Sequence, residues 1–265
     1  MSTMRDRFDY QTYWEMIARL TTTHRAVRFA DVGNRFPDDP FFILRHDVDY
    51  STQAALILAQ QESDRGIHAT YFLLPSGVYY NLLDPAHADV PRRLIDLGHE
   101  VGLHYDVNLL HRFARERSAE IIGLQISLLE TLSGSAVLSI AMHQPGLNGE
   151  DPLRQTGRFF NAYDDRFFRQ MLYISDSCRA WRDSAWSVLE SGALPSRFQL
   201  VLHPINWSKE DRDRSSVFHS VHCELTRAIE AAGRDLLDNI QKHPAVTEHQ
   251  ARARRTAAGA QETRS

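Results

Sequence analysis

Short apolar runs of β-favouring residues recur along this chain, most of them separated by stretches with helical spacing. That alternation constrains the fold more than any other feature. Strands are predicted at about 41–45, 69–74, 100–103, 137–142, 159–162, 172–175 and 198–202. Between the first two, residues 52–64 place Ala55, Leu58, Ala59 and Glu62 at helical spacing, with Gly66 as the stop. Further helices are predicted over 89–97 before Gly98, over 115–132 before Gly134, and over 165–170, 184–191 and 216–242. The Pro/Gly-rich stretch 144–157 reads as a covering loop. Strand–helix alternation of this kind predicts a parallel sheet with crossover helices, either closed into an incomplete barrel or left open and doubly wound. No G-x-G-x-x-G follows any strand, so the glycine pattern does not favour a dinucleotide fold.

The 265 residues allow one domain or two, and closed α/β barrels of about 200–250 residues are common. Hydrophobic residues at 43% and charged residues at 24% exclude global disorder. A net charge of −4 argues against a nucleic-acid partner held by bulk electrostatics. No apolar run approaches the roughly 18 residues of a membrane span, and the first twenty residues carry Asp6, Asp9 and Glu15 where an export signal has an apolar core. Two cysteines, Cys178 and Cys223, exclude a disulfide framework and predict a reducing, cytoplasmic setting. Residues 1–40 are expected to form an N-terminal helix (10–20) and a connector packed on a main body over 41–245. The segment 246–265, Ala/Arg/Thr-rich and aperiodic from His249, is expected to be a disordered tail.

In parallel α/β sheets and barrels, ligands gather at the carboxyl ends of the strands. Here those ends read Arg45-His46-Asp47-Val48-Asp49, His104-Tyr105-Asp106, His143-Gln144-Pro145-Gly146, Ser175-Asp176-Ser177 and His203-Pro204-Ile205-Asn206-Trp207. Titratable groups from five strands would thus converge on one rim. Two carboxylates as close as Asp47 and Asp49 repel, unless a cation compensates. A metal held by one, with the other free to take a proton from water, resolves the conflict. The plainer alternative is that both acids cap the helix starting near Ser51, although a cap needs only one.

His104 and His203 singly could be core histidines, but together with the Asp pair they are candidate site residues. His68 and His99 fall at the opposite strand ends and are expected to be structural. His219 and His222 sit three apart on a predicted surface helix, where solvated side chains outweigh a metal pair. Position alone leaves His111 undecided. Tyr105, Trp207 and Trp181 are candidates for stacking on a sugar ring, with ordinary packing the competing explanation.

These residues resemble the polysaccharide deacetylases of the NodB-homology type, in the branch whose first motif reads H-D-V-D. The likeness runs from Phe41 to Trp207 through ILRHDVDYS (43–51), HATYFLL (68–74), LGHEVGLHYD (97–106), YISDS (173–177) and LVLHPINW (200–207). It implies a distorted (β/α)7 barrel of parallel strands and hydrolysis of an N-acetyl amide on a sugar with a divalent metal, zinc being the expected ion. By the resemblance, Asp47 is the catalytic base, Asp49 and His104 bind metal, His203 protonates the leaving amine, and Asp176 orients a catalytic neighbour. Two departures stand out. The family's metal motif H-[ST]-x-x-H has Asn108 where its second histidine belongs, and its arginine after the fourth strand is replaced by His143. Catalytic zinc normally keeps three protein ligands, so either His143, Asp106 or His111 supplies the third, or the metal is weakly held or absent; the rim position favours His143. The expected cytoplasmic setting, and not the resemblance, points to a nucleotide-linked or lipid-linked sugar, or a short oligosaccharide, in bacterial surface-polysaccharide biosynthesis as the substrate. Two rivals remain: an amidohydrolase acting on a cyclic imide or ureide, and a catalytically silent carbohydrate-binding barrel.

Overall fold

The computed structural model describes residues 4–75, 77–112, 115–148, 153 and 158–248. Helix α1 (Tyr10–Thr21) starts where the Asp9 carboxylate accepts the Thr12 amide at 2.8 Å, and it buries Tyr13, Met16, Ile17 and Leu20, one apolar stripe at helical spacing. A short strand β1 (Arg25–Val27) and one turn of helix, α2 (Phe29–Val32), follow. The alternation then begins: β2 (Phe41–Val48), α3 (Thr52–Ser63), β3 (Thr70–Leu73), α4 (Val90–Asp96), β4 (Glu100–Tyr105), α5 (Val107–Leu110), α6 (Arg115–Ser133) and β5 (Ser139–Met142). It continues with α7 (Pro145–Asn148), β6 (Phe160–Asn161), α8 (Asp165–Phe168), β7 (Leu172–Ser175), α9 (Asp183–Ser191), β8 (Arg197–Leu202) and α10 (Arg214–Lys242). Gly66 and Gly98, the expected stops, take φ of +68° and +87°, which favour glycine.

All strand pairs are parallel, in the order β6-β5-β4-β3-β2-β8-β7, with β1 beside the first half of β2. The seven predicted strands thus wrap as a distorted (β/α)7 barrel. Strands β6 and β7 end the order and do not pair with each other among the described residues, which leaves a seam. Side chains cross it. The Gln199 amide on β8 donates to the carbonyls of Ala162 (3.2 Å) and Phe167 (2.5 Å), and the Tyr163 and Tyr173 rings lie 6.4 Å apart.

One difference from expectation concerns residues 25–32, read as connector. They supply β1 and a plug for the amino end of the barrel. Phe29 packs edge-on against Phe72 and Phe167, its amide donates to Thr70 Oγ1 (3.0 Å), and the Ala30 amide donates to Glu100 (2.9 Å). Thr70 and Ser139 hydroxyls, each at 2.7 Å, complete the Glu100 carboxylate inside the barrel. Three-residue strands carry too little periodicity to be read from sequence, and β1 is visible only by its pairing with Phe41–Ile43.

The compact unit that contains the barrel runs to Val217, and a second unit begins at Phe218. Within the second, the later part of α10 exposes His219 and His222, with Cys223 Sγ 3.4 Å from His219 Nε2. In the loop read over 144–157, residues 145–148 form α7, and 149–152 and 154–157 lie outside the described residues. Of the segment expected to be a disordered tail, 249–265 lie outside them too.

Candidate active site

The pleat of β2 decides which of its side chains face inward. His46 points to the helix layer, where its Nε2 lies 2.8 Å from the Glu62 carboxylate of α3. Tyr13 and Tyr71 hydroxyls donate to the same buried carboxylate, and His99 Nε2 donates to the Ala59 carbonyl (2.9 Å). The histidine of H-D-V-D is therefore structural, as His99 was expected to be. Arg45 and Asp47 point the other way, into the barrel. Helix α3 is capped by Ser51, whose hydroxyl accepts the Ala54 amide at 3.1 Å, so neither aspartate caps it.

Arg45 and Asp47 form a two-point ion pair: Nε to Oδ1 and Nη2 to Oδ2, both 2.7 Å. Arg45 is wholly buried. Its Nη2 also donates to Tyr163 Oη (2.8 Å), and its guanidinium lies 5.2 Å and 4.9 Å from the Phe72 and Tyr163 ring centroids. Phe72 fits there because β4 has Gly102 opposite it; a Cβ at Gly102 would come within 2.6 Å of that ring. Burial alone would raise the Asp47 pKa, but the Arg45 charge and, more weakly, His104 and His203 hold it below the usual carboxylate range.

Asp49, one residue past β2, meets His104 at the end of β4 and His143 just past β5. Asp49 Oδ1, His104 Nε2 and His143 Nδ1 form a triangle with all three sides 3.2 Å. His104 Nδ1 donates to the Ala141 carbonyl (2.9 Å), which leaves the Nε2 lone pair toward the triangle. Asp49 Oδ1 is buried and makes no hydrogen bond, although two ring nitrogens stand beside it. Burial would raise its pKa, but the two imidazoles and the charge of His203 drive it far below the carboxylate range. Bond lengths of about 2.0–2.2 Å and tetrahedral angles put zinc ligands about 3.3–3.6 Å apart, with one position left open. One carboxylate oxygen and two imidazole nitrogens at this spacing fit a borderline divalent ion such as zinc, cobalt or nickel.

On the other side, His203 follows β8 and Asp176 follows β7. His203 Nδ1 lies 2.6 Å from Asp176 Oδ1, and the His203 amide also donates to that carboxylate (3.0 and 3.2 Å). Its Nε2 faces the triangle, 3.9 Å from Asp49 Oδ2. Burial would lower its pKa, but Asp176 and the nearby Asp49 and Asp47 raise it to about 9. At neutral pH it is an imidazolium with one proton directed at the rim.

The residues named from sequence as Asp47, Asp49, His104, His143, Asp176 and His203 thus meet around one point. Asp106 stands outside the triangle, and its carboxylate caps α5 through the Asn108 amide (2.9 Å). His111 and Asn108 are exposed and lie outside the triangle. Three stacking candidates are corrected. Tyr105 is fully buried, and Trp207 is 2% exposed with its indole N–H on Asp176 (2.9 Å), so neither offers a face to a sugar. Trp181 is also buried, stacked on Phe8. Their places beside strand ends misled because side chains there turn outward as readily as inward. Arg45 and Tyr163 carry no sequence signal of their own; only the pleat, which puts position 45 on the side of Asp47, could have found the first.

No family model matches the chain, and no curated protein matches it. Among solved structures it is similar to peptidoglycan deacetylase PdaC from Bacillus subtilis (16% identity, TM-score 0.43, covering 78% of this chain and 99% of that one). It is also similar to the polysaccharide deacetylase Bc1974 from Bacillus cereus (15%, TM-score 0.43, 69% and 86%) and to BA3943 from Bacillus anthracis, described as a CE4 family pseudoenzyme (10%, TM-score 0.42, 73% and 63%).

Proposed function

We propose that this chain is a metal-dependent amide hydrolase that removes an N-acetyl group from a sugar. The observation that carries the reading is the Asp49–His104–His143 triangle set between an ionised carboxylate, Asp47, and a protonated imidazole, His203. Asp49, His104 and His143 would hold a divalent ion, which would supply Lewis acidity and lower the pKa of water from 15.7 toward ~7. Asp47 keeps its negative charge because Arg45 holds it, and it takes the proton of the attacking water on a carboxylate oxygen. Arg45 fixes the plane of that carboxylate, so the accepting lone pair does not rotate away. His203 donates its Nε2 proton to the nitrogen as the C–N bond breaks, since an amine leaves poorly unless protonated. Asp176 holds the imidazole by Nδ1 and stabilises its charge. A pure carbohydrate binder needs neither the base nor the acid.

The substrate we propose is a nucleotide- or lipid-linked sugar, or a short oligosaccharide, of surface-polysaccharide assembly, in a reducing compartment that suits the two free thiols. No described helix is long and apolar enough to cross a membrane. The test is purification followed by metal analysis and acetate release from N-acetylated sugars. Near-stoichiometric zinc, cobalt or nickel with acetate release supports the reading. Metal without acetate, together with ring opening of a cyclic imide or ureide, replaces it; absence of both metal and acetate overturns it.

A further inference from the structure

The loop after β3 exposes Val78 (80%), Leu83 (66%) and Tyr79 (37%). It is nevertheless pinned to the rim. The buried Tyr80 hydroxyl donates to the carbonyl of Val48 (2.6 Å), the residue between the two aspartates, and accepts the Leu74 amide (2.9 Å). The Gly77 amide closes back on the Tyr80 carbonyl (2.9 Å), and the Leu82 amide on Pro75 (3.1 Å). Tyr79 is thereby held with its ring edge-on to Tyr50, centroids 4.8 Å apart at 73°. Tyr50 directly follows Asp49 and is half-buried. The two rings are thus tied, through Tyr50, to the Asp49 corner of the triangle, and Tyr79 is partly open to solvent.

A rigid tyrosine offers a large amphipathic face at small entropic cost, and a fixed loop avoids the ordering penalty of binding. The ring face is electron-rich and suits the polarised C–H edge of a pyranose. We infer that Tyr79, braced by Tyr50, is a specificity-determining subsite that stacks on a sugar ring next to the residue being deacylated. This rests on the hydrolase reading for its substrate class and makes that substrate an oligosaccharide or glycoconjugate, not a free monosaccharide. The corrected Tyr105 and Trp207 leave this role open, and Tyr79 fills it.

The test separates binding from turnover. The probes are a β-1,4-linked N-acetylglucosamine tetrasaccharide and the monosaccharide, titrated by calorimetry into metal-loaded Asp47→Asn protein. The tetrasaccharide binds at least ~10-fold more tightly than the monosaccharide; adding Tyr79→Ala removes about 10-fold of that affinity, equivalent to about 1.4 kcal/mol, and Tyr79→Phe restores it. Equal affinity of the two sugars, no binding of either, or an unchanged Tyr79→Ala affinity overturns the subsite. Acetate release is measured separately on the protein with Asp47 intact. Stacking without acetate defeats the hydrolase reading and leaves the subsite standing, whereas acetate release with a Tyr79→Ala KM equal to that of the parent defeats the subsite alone.

Discussion

Arg45 and Asp47, two residues apart on one strand, face the same way and share two hydrogen bonds of 2.7 Å inside the barrel. The pair is buried, so removing one partner strands the other's charge, at a cost of about 3–5 kcal/mol. Arg45→Met should therefore lower stability by that order in urea unfolding. Asp47→Asn placed on top of it should recover part of the loss, because no charge is then left unpaired. A double variant as unstable as the sum of the two singles would mean the pair does not act as a unit.

Asp47→Asn alone keeps the triangle and removes the base. Turnover should fall by about 10²–10⁴-fold or more while metal content stays near that of the parent. Activity within tenfold of the parent would place the base elsewhere.

The third ligand is resolved by comparing substitutions. His143→Ala should drop bound metal well below stoichiometric, whereas His111→Ala should retain it, since His111 lies outside the triangle. Metal analysis after dialysis reads this directly. Loss in the His111 variant and retention in the His143 variant would invert the assignment.

Asp176 keeps His203 protonated to about pH 9. A group whose pKa is raised loses its proton as pH climbs through that value, so activity needing the imidazolium falls on the alkaline side. Asp176→Asn removes the charge that opposes the desolvation of His203, and the alkaline limb of kcat/KM should move to lower pH. An unmoved limb would show that another group sets it.

Glu62 gives an acid-side prediction that is independent of the site. Burial would raise its pKa, but His46, His99 and the tyrosine hydroxyls hold it below its ordinary value. Its stabilising contribution is complete above the unfolded pKa of about 4.3 and is lost as pH falls through the lower folded value. Glu62→Gln should lower the urea midpoint at pH 7 and flatten its decline in that acid window. A decline as steep as the parent's would assign acid sensitivity to other carboxylates.

Much of the barrel was legible because its signals are local. Buried parallel strands read as apolar runs, and helices end at glycines such as Gly66 and Gly98, so the order and the rim follow from the letters. The Asp pair and the histidines His104, His143 and His203 were legible for the same reason: each sits at a predicted strand end. What sequence could not show is orientation across distance. Tyr105 and Trp207 stood at the right ends with the wrong facing. Arg45 looked like an ordinary charge before a motif, because its partners Tyr163 and Phe72 come from elements far along the chain. Tyr79 sits in a loop without periodicity, and its place beside Tyr50 depends on contacts across the chain such as the Tyr80 hydroxyl that ties the loop to Val48.

The seam between β6 and β7 has a consequence for how this protein could be tuned. Tyr163, which supports the guanidinium behind Asp47, belongs to the segment that crosses that gap, where among the described residues no ladder of backbone bonds joins the two strands. Changes in that segment should reach the proposed proton acceptor through one phenol while the proposed ion-binding corner, built on the paired strands β2, β4 and β5, stays where it is. Substitutions there offer a dial on catalytic strength that is separate from metal retention.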